Sequence, residues 1–125
     1  MTRISSKMRN RLALLHAYVR KRSVVPGGPM SMTIESTTRC NLSCPMCLRE
    51  RIRVPAKDME LVLFRKIIDE AAGFLELAVP YGLGEPLMNP EIFDMIAFYH
   101  GKFDAFAVVG ESGGLGCGHA ASFLK

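Results

Sequence analysis

Three of the four cysteines in this chain lie within one short segment, at Cys40, Cys44 and Cys47. A short loop at this spacing can direct all three thiols at one metal centre, and Pro45 disfavours a helix there. A disulfide would close very little chain, so the grouping points to a metal and to a reducing, cytoplasmic setting. A four-iron cluster ordinarily takes four cysteine ligands, so three leave one iron open. The spacing therefore favours a catalytic cluster over one that only shuttles electrons.

A second motif, Gly82-Leu83-Gly84-Glu85-Pro86, follows the apolar run from Phe74 to Val79. Such a run is typical of a parallel strand that is covered on both faces. The alternating segment from Met30 to Thr38 predicts another strand, which leads directly into the cysteines. Because α/β barrels place their active sites at the carboxyl ends of parallel strands, we expect both loops at the same edge of the sheet.

The order of these two motifs resembles the radical S-adenosylmethionine (SAM) superfamily. In that family a C-x3-C-x2-C loop follows one strand, and a glycine-rich motif follows the next. The stretch from Thr37 to Cys47, taken with Gly84-Glu85-Pro86-Leu87, looks most like the branch that includes peptide-modifying and cofactor-maturing members. The resemblance extends from about Met30 to Tyr99.

The resemblance implies a site and its cofactors. Three irons of a [4Fe-4S] cluster would be ligated by Cys40, Cys44 and Cys47, and the amino and carboxylate groups of SAM would chelate the fourth iron. Met46 would lie beside the adenine. Glycine permits close backbone approach to the methionyl amine, and the residues of that motif carried over to this chain are Gly82, Gly84, Glu85 and Pro86.

The same resemblance implies a reaction. An electron from a donor such as a flavodoxin or a ferredoxin would reduce the cluster and cleave the sulfonium of SAM. The resulting 5′-deoxyadenosyl radical would abstract hydrogen from a substrate, either a peptide or a small molecule. In such chemistry the protein contributes orientation and exclusion of water more than acid–base groups. No residue is therefore assigned as a catalytic acid or base.

The elements around the motifs predict two strand–helix units of an α/β fold. One helix is expected over residues 58–73, capped by Asp58, with one apolar face. Another is expected over residues 89–101, capped by Asn89 and stopped by its final glycine, and a third strand over residues 103–109. Joined by right-handed crossovers, these elements predict a partial parallel (β/α) barrel of TIM-like type, truncated to its first two or three strands. The expected face of the first of these helices comprises Leu61, Phe64, Ile67, Ile68 and Ala71.

The N-terminal segment, residues 3–22, predicts a basic amphipathic helix that packs across the base of the domain. A Pro/Gly cluster over residues 25–29 separates it from the main fold. We therefore divide the chain into a helix and linker at 1–25, a partial radical SAM core at 26–109, and a Gly-rich tail at 110–125 without assigned structure. The apolar residues that recur at helical spacing in the first segment are Ile4, Met8, Leu12, Leu15 and Val19.

Charge is distributed unevenly along the chain. Residues 1–57 carry twelve Lys or Arg against two acidic residues, whereas residues 58–125 carry four against ten. A basic half can attract nucleic acid or an anionic surface. Tyr18 is the only aromatic residue before Phe64, which argues against a stacking platform for nucleic acid. No apolar run approaches the roughly 18–20 residues that a membrane-spanning helix requires.

A non-catalytic zinc-binding or scaffold module is the alternative hypothesis. In it, Cys117 or His119 would join the three grouped cysteines to complete a tetrahedron. Zinc modules favour two Cys-x2-Cys pairs, however, and zinc would not account for the Gly-Glu-Pro motif. The chain of 125 residues is also short for a complete barrel enzyme. A truncated or frame-shifted form, whose activity alone is an open question, is therefore a further hypothesis.

Overall fold

The computed structural model describes residues 5–80 and 82–103, which form an α/β arrangement. Strands β1 (Ser31–Thr33) and β2 (Leu77–Val79) pair in parallel, with Ser31 opposite Leu77 and Thr33 opposite Val79. The predicted alternation of strand and helix is confirmed for this part of the chain. Most of the predicted third strand, all of the Gly-rich tail, Cys117 and His119 lie outside the described residues. The elements in chain order are α1 Ser6–Val19, β1 Ser31–Thr33, α2 Leu48–Ile52, α3 Leu61–Ala71, β2 Leu77–Val79 and α4 Ile92–Lys102.

The core lies where α3 and α4 pack on each other and against the sheet. The predicted apolar face of α3 is confirmed, because Phe64, Ile68 and Ala71 are buried and its other two members pack at the edge of the same cluster. Met95 and Tyr99 supply the facing surface of α4. Burial of a large apolar side chain contributes about 1.5–3 kcal/mol, so this shared core stabilises the packing of the helices against the sheet.

Both strands are shorter than predicted. After β1 the chain stays extended, and Ile34 N–H still donates to the Val79 carbonyl at 2.9 Å. Thr38 N–H turns instead to the Lys57 carbonyl at 2.8 Å. At the start of the second predicted strand, Leu75 N–H donates to the Ala71 carbonyl and extends the turn after α3. An extended sequence pattern does not reveal which partner its backbone will meet, so the pattern overstates strand length.

Helix boundaries also differ from the prediction. Asp58 does not cap α3, whose Leu61 N–H donates to the Glu91 carboxylate at 2.9 Å. The α4 helix begins at Ile92 rather than directly after Asn89, and it continues through the predicted stop at Gly101. Helix α2 was not predicted, because it has five residues and too few turns to show a periodicity.

Helix α1 is confirmed, but the predicted packing face is wrong. Its buried residues are Asn10 and Ala17. The Asn10 side chain donates to the Gly28 carbonyl and accepts from the Gly28 N–H, both at 3.0 Å. Arg11 adds an ion pair with Glu76. These polar contacts decide which side docks, so the predicted apolar stripe is 45–69% exposed at Met8, Leu12, Leu15 and Val19.

The side of β2 that faces away from β1 is capped by one side chain. The fully buried Tyr99 hydroxyl accepts from Ala78 N–H at 3.1 Å and donates to the Glu76 carbonyl at 3.0 Å. Burial raises the pKa of Tyr99 above its ordinary value, although the bond from Ala78 works in the opposite direction. The hydroxyl thus satisfies two backbone groups that β1, on the other side of β2, cannot reach.

Replacing Tyr99 by Phe should lower the free energy of unfolding by about 1–3 kcal/mol, because an amide and a carbonyl lose their partner inside the protein. Urea titration of the full chain measures this. Tyr18→Phe is the matched control, since Tyr18 is 82% exposed. Equal stability of the two variants would contradict the assigned role of the hydroxyl.

The raised pKa of Tyr99 also predicts a pH dependence. Because its folded-state pKa lies above the unfolded value, the contribution is fully present below about pH 10 and is lost as pH rises through the folded pKa. The wild-type chain should therefore lose stability faster than Tyr99→Phe above pH 10. Parallel curves for the two proteins in pH-dependent urea titrations would refute this.

Candidate functional site

The two motif loops leave the sheet at the same edge. Because β1 and β2 run parallel, the cysteine segment after β1 and the Gly-Glu-Pro segment after β2 begin side by side. The buried Ser36 hydroxyl ties the two exits together by donating to the Pro80 carbonyl at 2.9 Å. Parallel strands in α/β proteins commonly carry their ligand sites at this edge.

The Gly-Glu-Pro segment contacts the backbone just before Cys40. Glu85 N–H donates to the Arg39 carbonyl at 2.8 Å. A Cβ placed on Gly84 would overlap the carbonyl of Thr37 and lie 2.8 Å from the carbonyl of Arg39. Both obstacles are backbone atoms and cannot rotate away, so only glycine allows this approach.

Glu35 also holds the glycine-rich segment, and sequence reasoning missed it. Its Oε1 accepts from Leu83 N–H at 2.6 Å. A Cβ on Gly82 would lie only 2.5 Å from the same oxygen. The available signal was its isolation, since Glu35 is the first acidic residue of a strongly basic half.

Arg39 connects three segments. Its Nε donates to Asp58 Oδ1 at 3.0 Å, its Nη2 lies 2.8 Å from Asp58 Oδ2, and the same Nη2 donates to the Met88 carbonyl. The Thr37 hydroxyl donates to Asp58 Oδ1 at 2.6 Å and accepts from Arg39 N–H at 3.0 Å. Asp58, predicted as a helix cap, instead anchors the residues that precede the cysteines.

Asn89 is a second buried cross-link. Its side-chain amide donates to the Ser36 carbonyl at 2.7 Å and to the Met59 carbonyl at 3.1 Å. Its Oδ1 accepts from Glu91 N–H at 2.9 Å, which begins the turn into α4. The residue predicted as a simple cap therefore also joins the exit of β1 to the segments that flank α3 and α4.

The three candidate cluster ligands share one irregular loop. Cys40 and Cys47 are partly buried and Cys44 is exposed. Leu42 N–H points at the Cys40 sulfur at 3.4 Å, and Cys47 N–H donates to the Cys44 carbonyl at 2.9 Å. Across residues 5–80 and 82–103, no three His, Cys, Asp or Glu side chains are gathered as a metal site. Their assignment as ligands stays a prediction.

The other predicted contacts differ in their surroundings. Glu85 is 7% exposed, and its Oε1 has no hydrogen-bond partner among the described residues. Pro86 is buried and begins a short 3₁₀ turn, Pro86–Met88. Met46 is 86% exposed. The structure therefore brings the Gly-Glu-Pro residues against the segment that leads into Cys40, whereas Met46 lies at the surface of the cysteine loop.

The chain is similar in sequence to a tungsten-containing aldehyde ferredoxin oxidoreductase cofactor-modifying protein of Pyrococcus furiosus, with 43% identity over 65 residues. It is also similar to the PqqA peptide cyclases of Gluconobacter oxydans and Xanthomonas campestris, with 30% identity over 74 residues and 29% over 76. The predicted resemblance is confirmed. These matches cover 50%, 58% and 60% of the chain, and their names fit the cofactor-maturing and peptide-modifying branch of the radical SAM superfamily.

The matched segment spans about a fifth of each relative, at 18%, 21% and 20% of their lengths. No family model matches the chain, and no solved structure matches it. Within the part of the chain that the structure describes, no helix is long and apolar enough to cross a membrane.

Replacing Gly84 by Ala should displace the Gly-Glu-Pro segment and lower the free energy of unfolding by about 1–3 kcal/mol, as overpacking does. Gly101→Ala is the control, because a Cβ there meets nothing within 4 Å. It should be neutral or slightly stabilising, since alanine is the better helix former. Urea titration of both variants measures the difference, and similar stabilities would contradict the close approach described above.

Proposed function

We propose that this chain carries the cluster-binding and SAM-binding part of a radical SAM protein that acts on a peptide or a small molecule. Its α/β elements would be the first strand–helix units of a partial parallel (β/α) barrel, with residues 26–109 as the core. The proposal includes hydrogen abstraction as the activity, a peptide or a small molecule as the substrate, and a donor such as a flavodoxin or a ferredoxin.

The observation that carries the proposal is the direct contact between the two motifs. The backbone carbonyl of Arg39, which precedes the first candidate ligand Cys40, accepts a hydrogen bond from the backbone N–H of Glu85 in the Gly-Glu-Pro segment. Gly84 packs on the same backbone. A cluster held by the cysteines and a cofactor held by Gly-Glu-Pro would therefore be neighbours, as chelation of one by the other requires.

The donor set fits the two groups in chemical type. Three thiols on one loop suit an iron–sulfur cluster that keeps one iron open. The Glu85 carboxylate is buried, and its Oε1 has no partner among residues 5–80 and 82–103. Such an atom is costly unless a donor or cation meets it. The methionyl ammonium of SAM is both a hydrogen-bond donor and a cation. A zinc site would give that oxygen no partner.

When bound, a [4Fe-4S] cluster and SAM supply one-electron cleavage of a sulfonium and a radical that abstracts hydrogen. The chain's own residues have separate tasks in this proposal. Cys40, Cys44 and Cys47 hold the irons, while Glu85 orients the amine. The backbone around Gly84 fixes the separation of the two sites.

Anaerobic reconstitution with iron and sulfide should give a [4Fe-4S] cluster in the full chain. Electron paramagnetic resonance of the dithionite-reduced protein should then change when SAM is added, because the open iron gains new ligands. A protein that retains zinc and assembles no cluster would overturn the proposal and favour the zinc-binding module.

Two cysteine variants distinguish these outcomes. Cys44→Ser should abolish the cluster, because the loop loses one of its three thiolates. Cys117→Ser should leave cluster content unchanged, since the proposal gives Cys117 no ligand role. Loss of bound metal in both variants, measured by elemental analysis, would identify Cys117 as the fourth ligand of a zinc site.

Glu85→Gln should keep the cluster but weaken the response to SAM by about 10- to 100-fold, the cost of losing a hydrogen bond to a charged group. The side chain keeps its size and loses only its charge. Glu70→Gln, at an exposed position of α3, is the control. An unchanged SAM titration in Glu85→Gln would exclude the carboxylate from the cofactor site.

A further inference from the structure

Arg39 holds both ends of the Gly-Glu-Pro turn. Its carbonyl accepts from Glu85 N–H at 2.8 Å, at the beginning of the turn. Its guanidinium donates to the Met88 carbonyl at the end of the same turn. One residue therefore fixes residues 85–88 from two directions, and that residue is covalently bonded to Cys40.

The Arg39 guanidinium is itself oriented. Asp58 receives it through both carboxylate oxygens, with Nε–Oδ1 at 3.0 Å and Nη2–Oδ2 at 2.8 Å. Such a two-point contact fixes the plane of the guanidinium, which a lysine ammonium cannot reproduce. The Thr37 hydroxyl donates to Asp58 Oδ1 and accepts from the Arg39 backbone N–H. Each of Thr37, Arg39 and Asp58 is therefore hydrogen-bonded to the other two.

This ion pair is poorly placed to stabilise the fold. The two side chains are 40% and 31% exposed, and ion pairs at such positions contribute little to stability. The core and the buried Asn89 amide already join the same segments. The Arg39 contacts therefore fix the position of the Gly-Glu-Pro turn and add little to the free energy of unfolding.

We propose that Arg39 is a positioning residue that sets the SAM-contacting turn relative to the cluster ligand Cys40. This inference rests on the proposed function. Loss of the guanidinium would remove the contact at the Met88 carbonyl, while the thiols, the Asn89 hydrogen bonds and the bond from Glu85 N–H to the Arg39 carbonyl remain. A cluster would still form, but the turn that carries Glu85 would be held less precisely for SAM. The role differs from a ligand role, because Arg39 acts only through its neighbours.

The experiment is a SAM titration of reconstituted, dithionite-reduced full chain, followed by electron paramagnetic resonance. Arg39→Ala should retain wild-type iron content and need about 10- to 100-fold more SAM for the spectral change, the usual effect of removing a supporting contact. Arg39→Lys should keep most of this defect, because it restores the charge but not the fork. Asp58→Asn should shift the titration in the same direction.

Arg51→Ala is the matched control, since it removes one positive charge from the exposed surface next to the cysteine loop. Hydrogen exchange of residues 84–89 gives a second readout without any cofactor, and it should be faster in Arg39→Ala and Arg39→Lys than in the control. Thermal unfolding identifies any variant that fails to fold, in which case Arg39→Lys and Asp58→Asn decide.

The possible results separate the two hypotheses. A wild-type chain that assembles no SAM-responsive cluster overturns the proposed function, and this inference with it. A wild-type chain that responds, together with Arg39 variants that titrate and exchange like Arg51→Ala, overturns the inference alone. A defect in SAM response at normal iron content supports it.

Discussion

The site depends on the contact between Gly84 and the backbone that precedes Cys40. Two extended segments can pair as parallel strands without their loops touching, and a side chain at residue 84 would keep the loops apart. Without one, the Gly-Glu-Pro segment donates a backbone hydrogen bond to the residue before the first cysteine.

Three side chains stabilise the end of the sheet where the two motif loops begin, and they differ in burial. Ser36 and Asn89 are buried, and their side chains bond backbone groups, Ser36 the Pro80 carbonyl and Asn89 the Ser36 carbonyl, so these hydrogen bonds are protected from water. Glu35 is less buried, and its carboxylate accepts a hydrogen bond from Leu83 N–H in the glycine-rich loop. Buried, satisfied polar groups specify one arrangement of a core, since leaving any of them unpaired is costly. These contacts thus specify how the two loops leave the sheet.

The sequence allowed prediction of some features that depend on neighbours along the chain, but not of the helix boundaries. The face of α3 follows from its own periodicity, and the grouping of the cysteines follows from their spacing. Contacts between distant positions were missed, among them Asn10 with Gly28 and Glu35 with Leu83. Helix α1 shows why, because its apolar stripe was the obvious face and a polar pair on the opposite side decided the docking. Periodicity shows where apolar side chains lie along a helix. It does not show that the side-chain amide of Asn10 bonds both the carbonyl and the N–H of Gly28.

The Tyr99 hydroxyl has a consequence for how the sheet can grow. In a parallel sheet, one residue of the next strand gives its N–H to one carbonyl and its C=O to the amide two residues later. Tyr99 gives this pair of bonds to Glu76 and Ala78 with a single phenol. A strand that joins this edge would therefore replace the phenol at the Ala78 N–H and the Glu76 carbonyl, and these two groups would gain no hydrogen bond from the exchange.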